Sequence, residues 1–176
     1  DYILKNSNFY GYNFYVNENV LIPRPETELI LDYVIDMGTN NQTIIDAGTG
    51  SGCIGAVLSK VLTDSNIYAI DNNIKAIEVA QYNFKKLDWR NIQIVLCDLL
   101  SSFEANSIDI IVSNPPYIKA DDPHLDELYY EPRDALTGGR NGLIHFDRIF
   151  FDAKWSLRPH GYLIFEHGFD QQEQII

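Results

Sequence analysis

The chain has 176 residues, enough for one domain with a single core. Its apolar content of 45% and aromatic content of 12% are typical of a folded globular protein and exclude a disordered chain. Thirteen basic against twenty-five acidic residues give a net charge of −12, and such a field repels the phosphate backbone of nucleic acids.

The two cysteines, Cys53 and Cys97, lack the spacing of a metal site. We interpret them as reduced packing residues of a cytoplasmic protein. The sequence contains no run of about 18 apolar residues and no signal peptide, so we expect no membrane association. It stops at Ile176 within a predicted helix, which indicates a fragment of a longer protein.

The first predicted element is a β-hairpin over residues 9–22. Aromatic and aliphatic residues alternate on both sides of residues 17–19, Asn-Glu-Asn, which are turn formers. After Pro-Arg-Pro-Glu-Thr-Glu, residues 29–35 carry apolar side chains at helical spacing. This pattern predicts a helix capped by Thr27 or by the residue before it.

A short apolar strand over residues 43–47 leads into a glycine-rich turn, and a helix follows from Cys53. Gly48, Gly50 and Gly52 alternate along this turn, so its backbone can approach a ligand closely. The amide groups of the turn can donate to a carboxylate or a phosphate. The pattern therefore predicts a cofactor site at the turn.

Two phosphate-binding motifs were compared with this turn. A P-loop needs Lys followed by Ser or Thr directly after its last glycine, and Ala56 and Val57 follow Gly55, so a P-loop is excluded. Gly50, Gly52 and Gly55 satisfy the G-x-G-x-x-G pattern, so a dinucleotide site stays open.

Acidic residues follow the next two predicted strands, over residues 66–70 and 92–96. Asp71 lies about twenty positions past the glycines, where a carboxylate can accept both ribose hydroxyls, and this favours a nucleoside cofactor. The alternative is that Asp71 caps the helix over residues 74–87. Asp98 could accept the amino group of an adenine while Leu99 covers the ring, or Asp98 could simply begin a turn.

The fourth predicted strand, residues 108–112, ends abruptly at Ser-Asn-Pro-Pro-Tyr because consecutive prolines cannot extend a strand. Asn114 precedes a proline and is pushed toward an extended conformation, at the sheet edge where open α/β folds bind ligands. Its amide oxygen, a carbonyl of the proline pair and the Tyr117 ring can together hold a planar group that bears an NH2. This geometry suits alkylation of an amide or exocyclic amine. The alternative is a plain turn after a strand.

Residues 119–142 show little apolar periodicity, and we predict a lid over the site. His124 has acidic neighbours, but crowding of this kind in a polar loop is typical of solvated surface, and we predict no metal site. A helix over residues 144–157, a turn over residues 159–161 and a fifth strand over residues 162–165 complete the prediction.

Together these segments resemble the class I methyltransferases that use S-adenosylmethionine and, more narrowly, the HemK/PrmC family of release-factor glutamine methyltransferases. The likeness runs from about residue 9 to residue 168. The Asn-Pro-Pro-Tyr motif is shared with enzymes that methylate amino groups of DNA and RNA, whereas Pro-Arg-Pro-Glu-Thr-Glu and Tyr-Glu-Pro-Arg are far more specific. The matching segments are residues 21–28, 46–52, Asp71, 114–117, 130–133, Ala135, Leu136, Gly138 and Gly139.

The resemblance implies an α/β fold: a doubly wound, Rossmann-like class I methyltransferase sheet with an N-terminal β-hairpin. Five parallel strands are expected in the order 3-2-1-4-5, and the last two strands of the family are expected to be missing. Residues 1–28 are then the hairpin and lead-in, and residues 29–176 are a truncated S-adenosylmethionine-binding methyltransferase domain.

The resemblance also implies the site residues, the cofactor and the partner. S-adenosyl-L-methionine, with S-adenosyl-L-homocysteine as product, is expected to contact Gly48, Thr49, Gly50, Ser51, Gly52, Asp71, Asp98, Leu99 and Asn114. The substrate is expected to be the glutamine of a Gly-Gly-Gln loop in peptide-chain release factors. It would bind Asn114, Pro115, Pro116 and Tyr117, of which Asn114, Pro115 and Tyr117 are the predicted catalytic residues.

Two other functions stay open from the residues. A methyltransferase acting on the amino group of adenine or cytosine in nucleic acid would share Asn-Pro-Pro-Tyr, but the net charge of −12 disfavours binding to nucleic acid. A non-catalytic or dinucleotide-binding module would explain the glycines and Asp71 but would leave residues 114–117 without a role.

Overall fold

The computed structural model describes residues 1–38, 40–89 and 91–175. Its strands are β1 (Ser7–Phe9), β2 (Tyr12–Phe14), β3 (Thr43–Ala47), β4 (Asn66–Asp71), β5 (Ile92–Leu96), β6 (Ile108–Ser113) and β7 (Leu157–Phe165). Its helices are α1 (Glu28–Asp36), α2 (Cys53–Val61), α3 (Ile74–Lys86), α4 (His124–Glu127), α5 (Ile144–Ser156) and α6 (Gln172–Ile175). Ile176, the end of the last predicted helix, lies outside the described residues.

Five strands form one parallel sheet in the order β5-β4-β3-β6-β7. Counted along the sheet-forming strands, this is the predicted order 3-2-1-4-5, and the α/β fold with an N-terminal hairpin is confirmed. The carboxyl ends of β3, β4 and β6 are level, since Ala47 pairs with both Ile70 and Ser113. The turns that leave these strands therefore meet at one edge of the sheet.

Both faces of the sheet are covered, as a doubly wound fold requires. On one face, Ile44, Ile67 and Ile110 pack with apolar residues of α1, α2 and α3, and the hairpin adds Phe9 and Phe14. On the other face, Ile45, Ile70 and Ile111 pack with Ala153 of α5. None of the helices in the described part of the chain is both long and apolar enough to span a membrane.

The hairpin is present, but the predicted position of its turn is wrong. The turn is Tyr10-Gly11, whose φ angles of 49° and 79° are both positive, as a two-residue type I′ turn requires. Asn17 instead forms a separate local turn, in which its side-chain oxygen accepts from the Asn19 amide at 3.0 Å.

The predicted turn at residues 159–161 is also wrong, because these residues belong to β7, which begins at Leu157. The strand lies at the end of the sheet order and pairs only with β6 among the described strands, so a proline can be tolerated there. A register shift between Ile108 and Ile110, together with the positive φ of His160 (68°), accommodates the extra residues as a bulge.

Candidate active site

Two cavities open at the carboxyl edge of the sheet, and Asn114, Pro115 and Pro116 line both of them. The larger cavity, about 960 Å³, is bordered by the glycine turn and by the ends of β4 and β5. The smaller cavity, about 700 Å³, lies on the side of Tyr117, Glu166 and Gln171. The Asn-Pro-Pro-Tyr loop, residues 114–117, therefore lies between the two cavities.

The glycine turn is held by backbone contacts and by a buried carboxylate. The amides of Gly48 and Thr49 both donate to the carbonyl oxygen of Ile70, at 3.0 and 2.9 Å. Asp46 Oδ2 accepts from the Thr49 hydroxyl at 2.6 Å and from the Gly55 amide at 2.8 Å. Burial raises the pKa of Asp46 to about 6, because the ionised form is poorly solvated there.

A glycine is required at position 52, where the turn meets α3. Gly52 has a φ of 85°, and an added Cβ would lie 2.6 Å from the Phe84 ring. The fully buried Asn83 side chain, also on α3, donates to the Ser51 carbonyl at 2.8 Å and to the Tyr15 carbonyl at 2.9 Å. The helix α3 thus fixes both the turn and the chain that leaves the hairpin.

The tip of β4 faces the same turn. Asp71 Oδ2 accepts from the Gly50 amide at 3.0 Å, and Oδ1 accepts from the Asn73 amide at 2.9 Å. The residue that caps α3 is Asn73, whose side-chain oxygen accepts from the Lys75 amide at 3.0 Å, so the capping alternative for Asp71 is wrong. Burial raises the pKa of Asp71.

Asp98 and Leu99 also line the larger cavity, after the end of β5. Asp98 is exposed, and its Oδ2 accepts from Arg148 of α5 at 2.6 Å. Its carbonyl accepts from the Ser101 amide at 3.3 Å, which is a turn contact. Leu99 has a φ of 48°, so its backbone bends sharply at the cavity wall. The adenine role of Asp98 stays a prediction. In that role, the Asp98 carboxylate would accept from the adenine amino group and from Arg148 at the same time.

Asn114 is held by a chain of side-chain hydrogen bonds. Its Nδ2 donates to Thr27 Oγ1 at 2.9 Å, and the Thr27 hydroxyl donates to Glu166 Oε2 at 2.6 Å. The Tyr117 hydroxyl donates to the other oxygen, Glu166 Oε1, at 2.8 Å. Burial and the neighbouring Glu166 carboxylate raise the pKa of Tyr117.

Thr27 and Glu166 were missed as site residues. Thr27 occupies the position before α1, as predicted, but its side chain makes no cap hydrogen bond, because its hydroxyl is bonded to Glu166. Two signals pointed to them. Thr27 lies in the specific Pro-Arg-Pro-Glu-Thr-Glu segment, and Glu166 directly follows the last strand, at the sheet edge where ligands bind.

The Asn-Pro-Pro-Tyr loop is supported from behind by the segment around Gly138. The Ile118 amide donates to the Leu136 carbonyl, and the Gly138 amide donates to the Ile118 carbonyl, both at 2.9 Å. The buried Gln171 side chain donates from Nε2 to the Tyr117 carbonyl at 3.0 Å. Residues 119–142 are therefore anchored at both ends beside the loop, and their role as a lid stays a prediction.

An ion pair joins the two most specific sequence segments. The Arg24 guanidinium donates to Glu131 Oε1, and Glu131 Oε2 accepts from the Ile22 amide at 3.2 Å. The Glu131 side chain is buried, whereas Arg24 is one third exposed. Pro-Arg-Pro-Glu-Thr-Glu and Tyr-Glu-Pro-Arg thus form one wall above the site.

Across residues 1–38, 40–89 and 91–175, no three His, Cys, Asp or Glu side chains are grouped so that they could hold a metal ion. His124 pairs with Glu127 on the exposed helix α4, at 3.3 Å.

Comparison with known proteins identifies the family. The profile of the methyltransferase small domain matches residues 25–166. The chain is 36% identical over 177 residues to the release factor glutamine methyltransferase of Coxiella burnetii, covering 99% of this chain and 64% of that protein. It spans less than two thirds of the length of this relative and of two further release factor glutamine methyltransferases that it matches.

Solved structures share the fold. A methyltransferase from Pyrococcus furiosus has a TM-score of 0.64 at 17% identity, covering 94% of this chain and 73% of that one. A geranyl diphosphate methyltransferase, solved in complex with S-adenosylmethionine, has a TM-score of 0.58 at 14% identity, covering 81% of this chain and 48% of that one. With the profile match over most of its length, the chain belongs to the methyltransferase small domain family.

Proposed function

We propose that this chain contains the catalytic domain of a protein-glutamine methyltransferase, which methylates the side-chain amide nitrogen of a glutamine in peptide-chain release factors. The observation that carries the proposal is the position of Asn114 between two cavities. Its NH2 group is bonded to Thr27, which leaves Oδ1 to accept from an incoming amide. The relatives named as release factor glutamine methyltransferases support the same substrate.

The larger cavity fits S-adenosylmethionine. Gly48 and Gly50 have positive φ angles and no Cβ, so their backbone can contact a ligand, and Asp71 lies 3.0 Å from the Gly50 amide with lone pairs left for ribose hydroxyls. We assign the cofactor to Gly48, Thr49, Gly50, Ser51, Gly52, Asp71, Asp98, Leu99 and Asn114. When bound, S-adenosylmethionine supplies an electrophilic methyl group and leaves as S-adenosylhomocysteine.

The chemical problem for the protein is alignment, because the lone pair of an amide nitrogen is delocalised. Asn114 Oδ1 and the Pro115 carbonyl accept the two amide hydrogens of the substrate, and Pro116 completes the wall. The Tyr117 ring, held through its hydroxyl by Glu166, covers the plane of the amide. Holding two reactants in line can supply roughly 7 to 11 kcal/mol of a barrier. The proton leaves after methyl transfer, when the nitrogen has become strongly acidic.

We assign residues 29–176 to the catalytic domain and residues 1–28 to the hairpin and lead-in. Release factors as substrate place the protein in the cytoplasm, with no membrane partner. Methylation of adenine or cytosine in nucleic acid is not favoured, because the net charge of −12 opposes contact with phosphates.

Labelled S-adenosylmethionine tests the proposal directly. The full-length protein is incubated with a release factor, with the same factor carrying Gln→Ala in its Gly-Gly-Gln loop, or with DNA and RNA. We expect label only in the unmodified release factor. Label in nucleic acid, or equal label in both release factors, would exclude the proposed substrate.

A binding experiment tests the cofactor separately. The protein is titrated with S-adenosylhomocysteine and with NADH under the same conditions. We expect saturable binding of S-adenosylhomocysteine only. Preferential binding of NADH would favour the dinucleotide-binding module instead.

A further inference from the structure

We infer that Glu166 is a positioning residue that determines, through Thr27, which end of the Asn114 side-chain amide faces the reacting groups. This inference rests on the proposed function and adds a specificity device to it. Glu166 directly follows β7, and its backbone amide donates to the Ser113 carbonyl at 3.0 Å, next to Asn114 in sequence. Its carboxylate is therefore anchored at the end of the same strand pair that presents Asn114.

The donors and acceptors in this series of hydrogen bonds allow only one orientation of the Asn114 side-chain amide. An ionised carboxylate only accepts hydrogen bonds, so both oxygens of Glu166 require donors, which are the hydroxyls of Thr27 and Tyr117. The Thr27 hydroxyl has a single hydrogen, and that hydrogen is used by Glu166 at 2.6 Å. Thr27 Oγ1 can then only accept from Asn114.

The amide of Asn114 must consequently present its NH2 end to Thr27, as the Nδ2 to Oγ1 distance of 2.9 Å shows. Its oxygen is left for the substrate. Thr27 is only 3% exposed, so water cannot readily replace either partner and weaken this direction. Through Thr27, the partly buried carboxylate of Glu166 thus leaves the Asn114 oxygen as a hydrogen-bond acceptor for the substrate.

The direction matters because the substrate group is a carboxamide, whose NH2 needs acceptors. If the Asn114 amide were reversed, two NH2 groups would face each other, and the substrate nitrogen would lose one of the contacts that align it. A reversed Asn114 would instead favour an acceptor group such as a carboxylate. Glu166 therefore separates glutamine from glutamate in the substrate loop.

Glu166→Gln is the informative substitution because it keeps the size of the side chain and changes only its donors. We expect Tyr117 to keep donating, now to the oxygen of the new amide, so that the NH2 end points at Thr27. The Thr27 hydrogen is then free to donate to Asn114 Oδ1, which turns the Asn114 NH2 toward the substrate. Glu78→Gln, at an exposed carboxylate on α3 that lines neither cavity, is the matched control.

The experiment measures discrimination with the full-length protein. For each variant, kcat and KM are determined with a release factor, and inhibition is measured with the same factor carrying Gln→Glu in its loop. In Glu166→Gln we expect kcat to fall roughly 10- to 100-fold. We also expect the preference for the glutamine loop over the glutamate loop to fall at least about tenfold. Affinity for S-adenosylhomocysteine should stay unchanged, and Glu78→Gln should behave as wild type.

Thr27 provides the second pair of variants if Glu166→Gln does not fold. Thr27→Ser keeps the hydroxyl and should retain the discrimination, whereas Thr27→Val removes it and should lose the discrimination. Preserved discrimination in both Glu166→Gln and Thr27→Val, whatever the loss of stability or turnover, overturns the positioning role while leaving the proposed function intact. A wild-type protein that does not methylate the release factor overturns the proposed function itself.

Discussion

The two cavities meet at Asn114, but their walls are assembled from contacts of very different sequence range. In the larger cavity, Asp46 binds groups three and nine residues away, and Asp71 binds an amide 21 residues away. In the wall between the larger and the smaller cavity, Asn114 and Thr27 are 87 residues apart, and Thr27 and Glu166 are 139 residues apart. The first wall is a local strand-turn-helix unit, whereas the second exists only when the whole sheet has formed.

This difference teaches which functions can be separated. A local unit can bind a cofactor through its own backbone, so changes in the smaller cavity should leave cofactor affinity intact. Alignment of the substrate depends on the long-range wall, so it should respond to each of its contacts. Variants at the two sites should therefore affect cofactor binding and substrate alignment separately.

The largest effect is expected for Asn114→Ala, which removes the acceptor that aligns the substrate amide. Turnover with a release factor should fall about 100-fold, because a small misplacement of reacting groups has that cost. Asn114 is only one of nine residues assigned to the cofactor, so the affinity for S-adenosylhomocysteine, measured by calorimetry, should fall far less than turnover, by no more than about threefold. Unchanged turnover by the full-length variant would show that Asn114 does not align the substrate.

For Asp71→Ala in the larger cavity we expect the opposite pattern, in which cofactor affinity falls and use of the release factor is kept. Loss of a charge-assisted hydrogen bond to the ribose costs about 2 kcal/mol, so affinity for S-adenosylhomocysteine should fall roughly 30-fold. At saturating cofactor, the KM for the release factor should stay unchanged. Asp64→Ala, at an exposed carboxylate in the turn before β4, is the control. An equal loss in both variants would indicate a general effect of charge.

The separation also explains what could be predicted from sequence. The sheet strands, the glycine turn and Asp71 follow from patterns within about 30 residues of one another, namely apolar runs, turn formers and a carboxylate at a strand end. The order of the strands came from the resemblance to the family. The Tyr10-Gly11 turn was equally local, but the Asn-Glu-Asn triplet offered a stronger signal a few residues later. At residues 159–161 the prediction was wrong because a proline is typical of a turn but is also tolerated in an edge strand.

The smaller cavity could be predicted only in part. Asn114 was found because two prolines end a strand there. The role of Thr27 was missed, because its local pattern is that of an N-cap and its actual partner lies 139 residues away. The buried pairing of Arg24 with Glu131, 107 residues apart, had no local signal either. Only the resemblance to a family had placed those segments near the site.

A third prediction concerns Gly138, which lies in the segment that supports the Asn-Pro-Pro-Tyr loop. In Gly138→Ala, the new Cβ would lie 2.4 Å from the Gly142 carbonyl oxygen and 2.7 Å from the Pro116 carbonyl oxygen. Backbone cannot move aside cheaply, so the free energy of unfolding should fall by about 1 to 3 kcal/mol. Turnover should fall as well, because Pro116 is displaced. Urea unfolding and kcat measure the two effects.

Gly139→Ala is the matched control for this substitution. Its φ of 81° makes alanine unfavourable by about 1 kcal/mol, but the nearest atom to the new Cβ is Ile144 Cγ2 at 3.4 Å, an ordinary contact. Stability should therefore fall while turnover is kept. Equal losses of turnover in both variants would mean that activity follows stability and not the position of the loop.

The smallest effect concerns the buried carboxylate of the larger cavity. Because burial raises the pKa of Asp46 to about 6, above its ordinary value of 3.8, the folded protein binds a proton more tightly than the unfolded chain. The stabilisation is present in full below about pH 4 and is lost as the pH rises through about 6. Between pH 5 and pH 7, the free energy of unfolding should decrease by about 1 kcal/mol on this account.

Asp46→Asn isolates that contribution, because all other titrating groups are common to both proteins. The asparagine oxygen can still accept from Thr49 and Gly55, so the variant should fold, although its NH2 group adds a buried donor at the position of Oδ1. Urea unfolding at pH 5, 6 and 7 should show a steeper loss of stability in wild type than in Asp46→Asn. Parallel pH profiles would place the titrating proton on a group other than Asp46. A steeper wild-type profile that is unchanged by Asn114→Ala would locate the pH response in the local unit alone, since Asn114 belongs to the long-range wall.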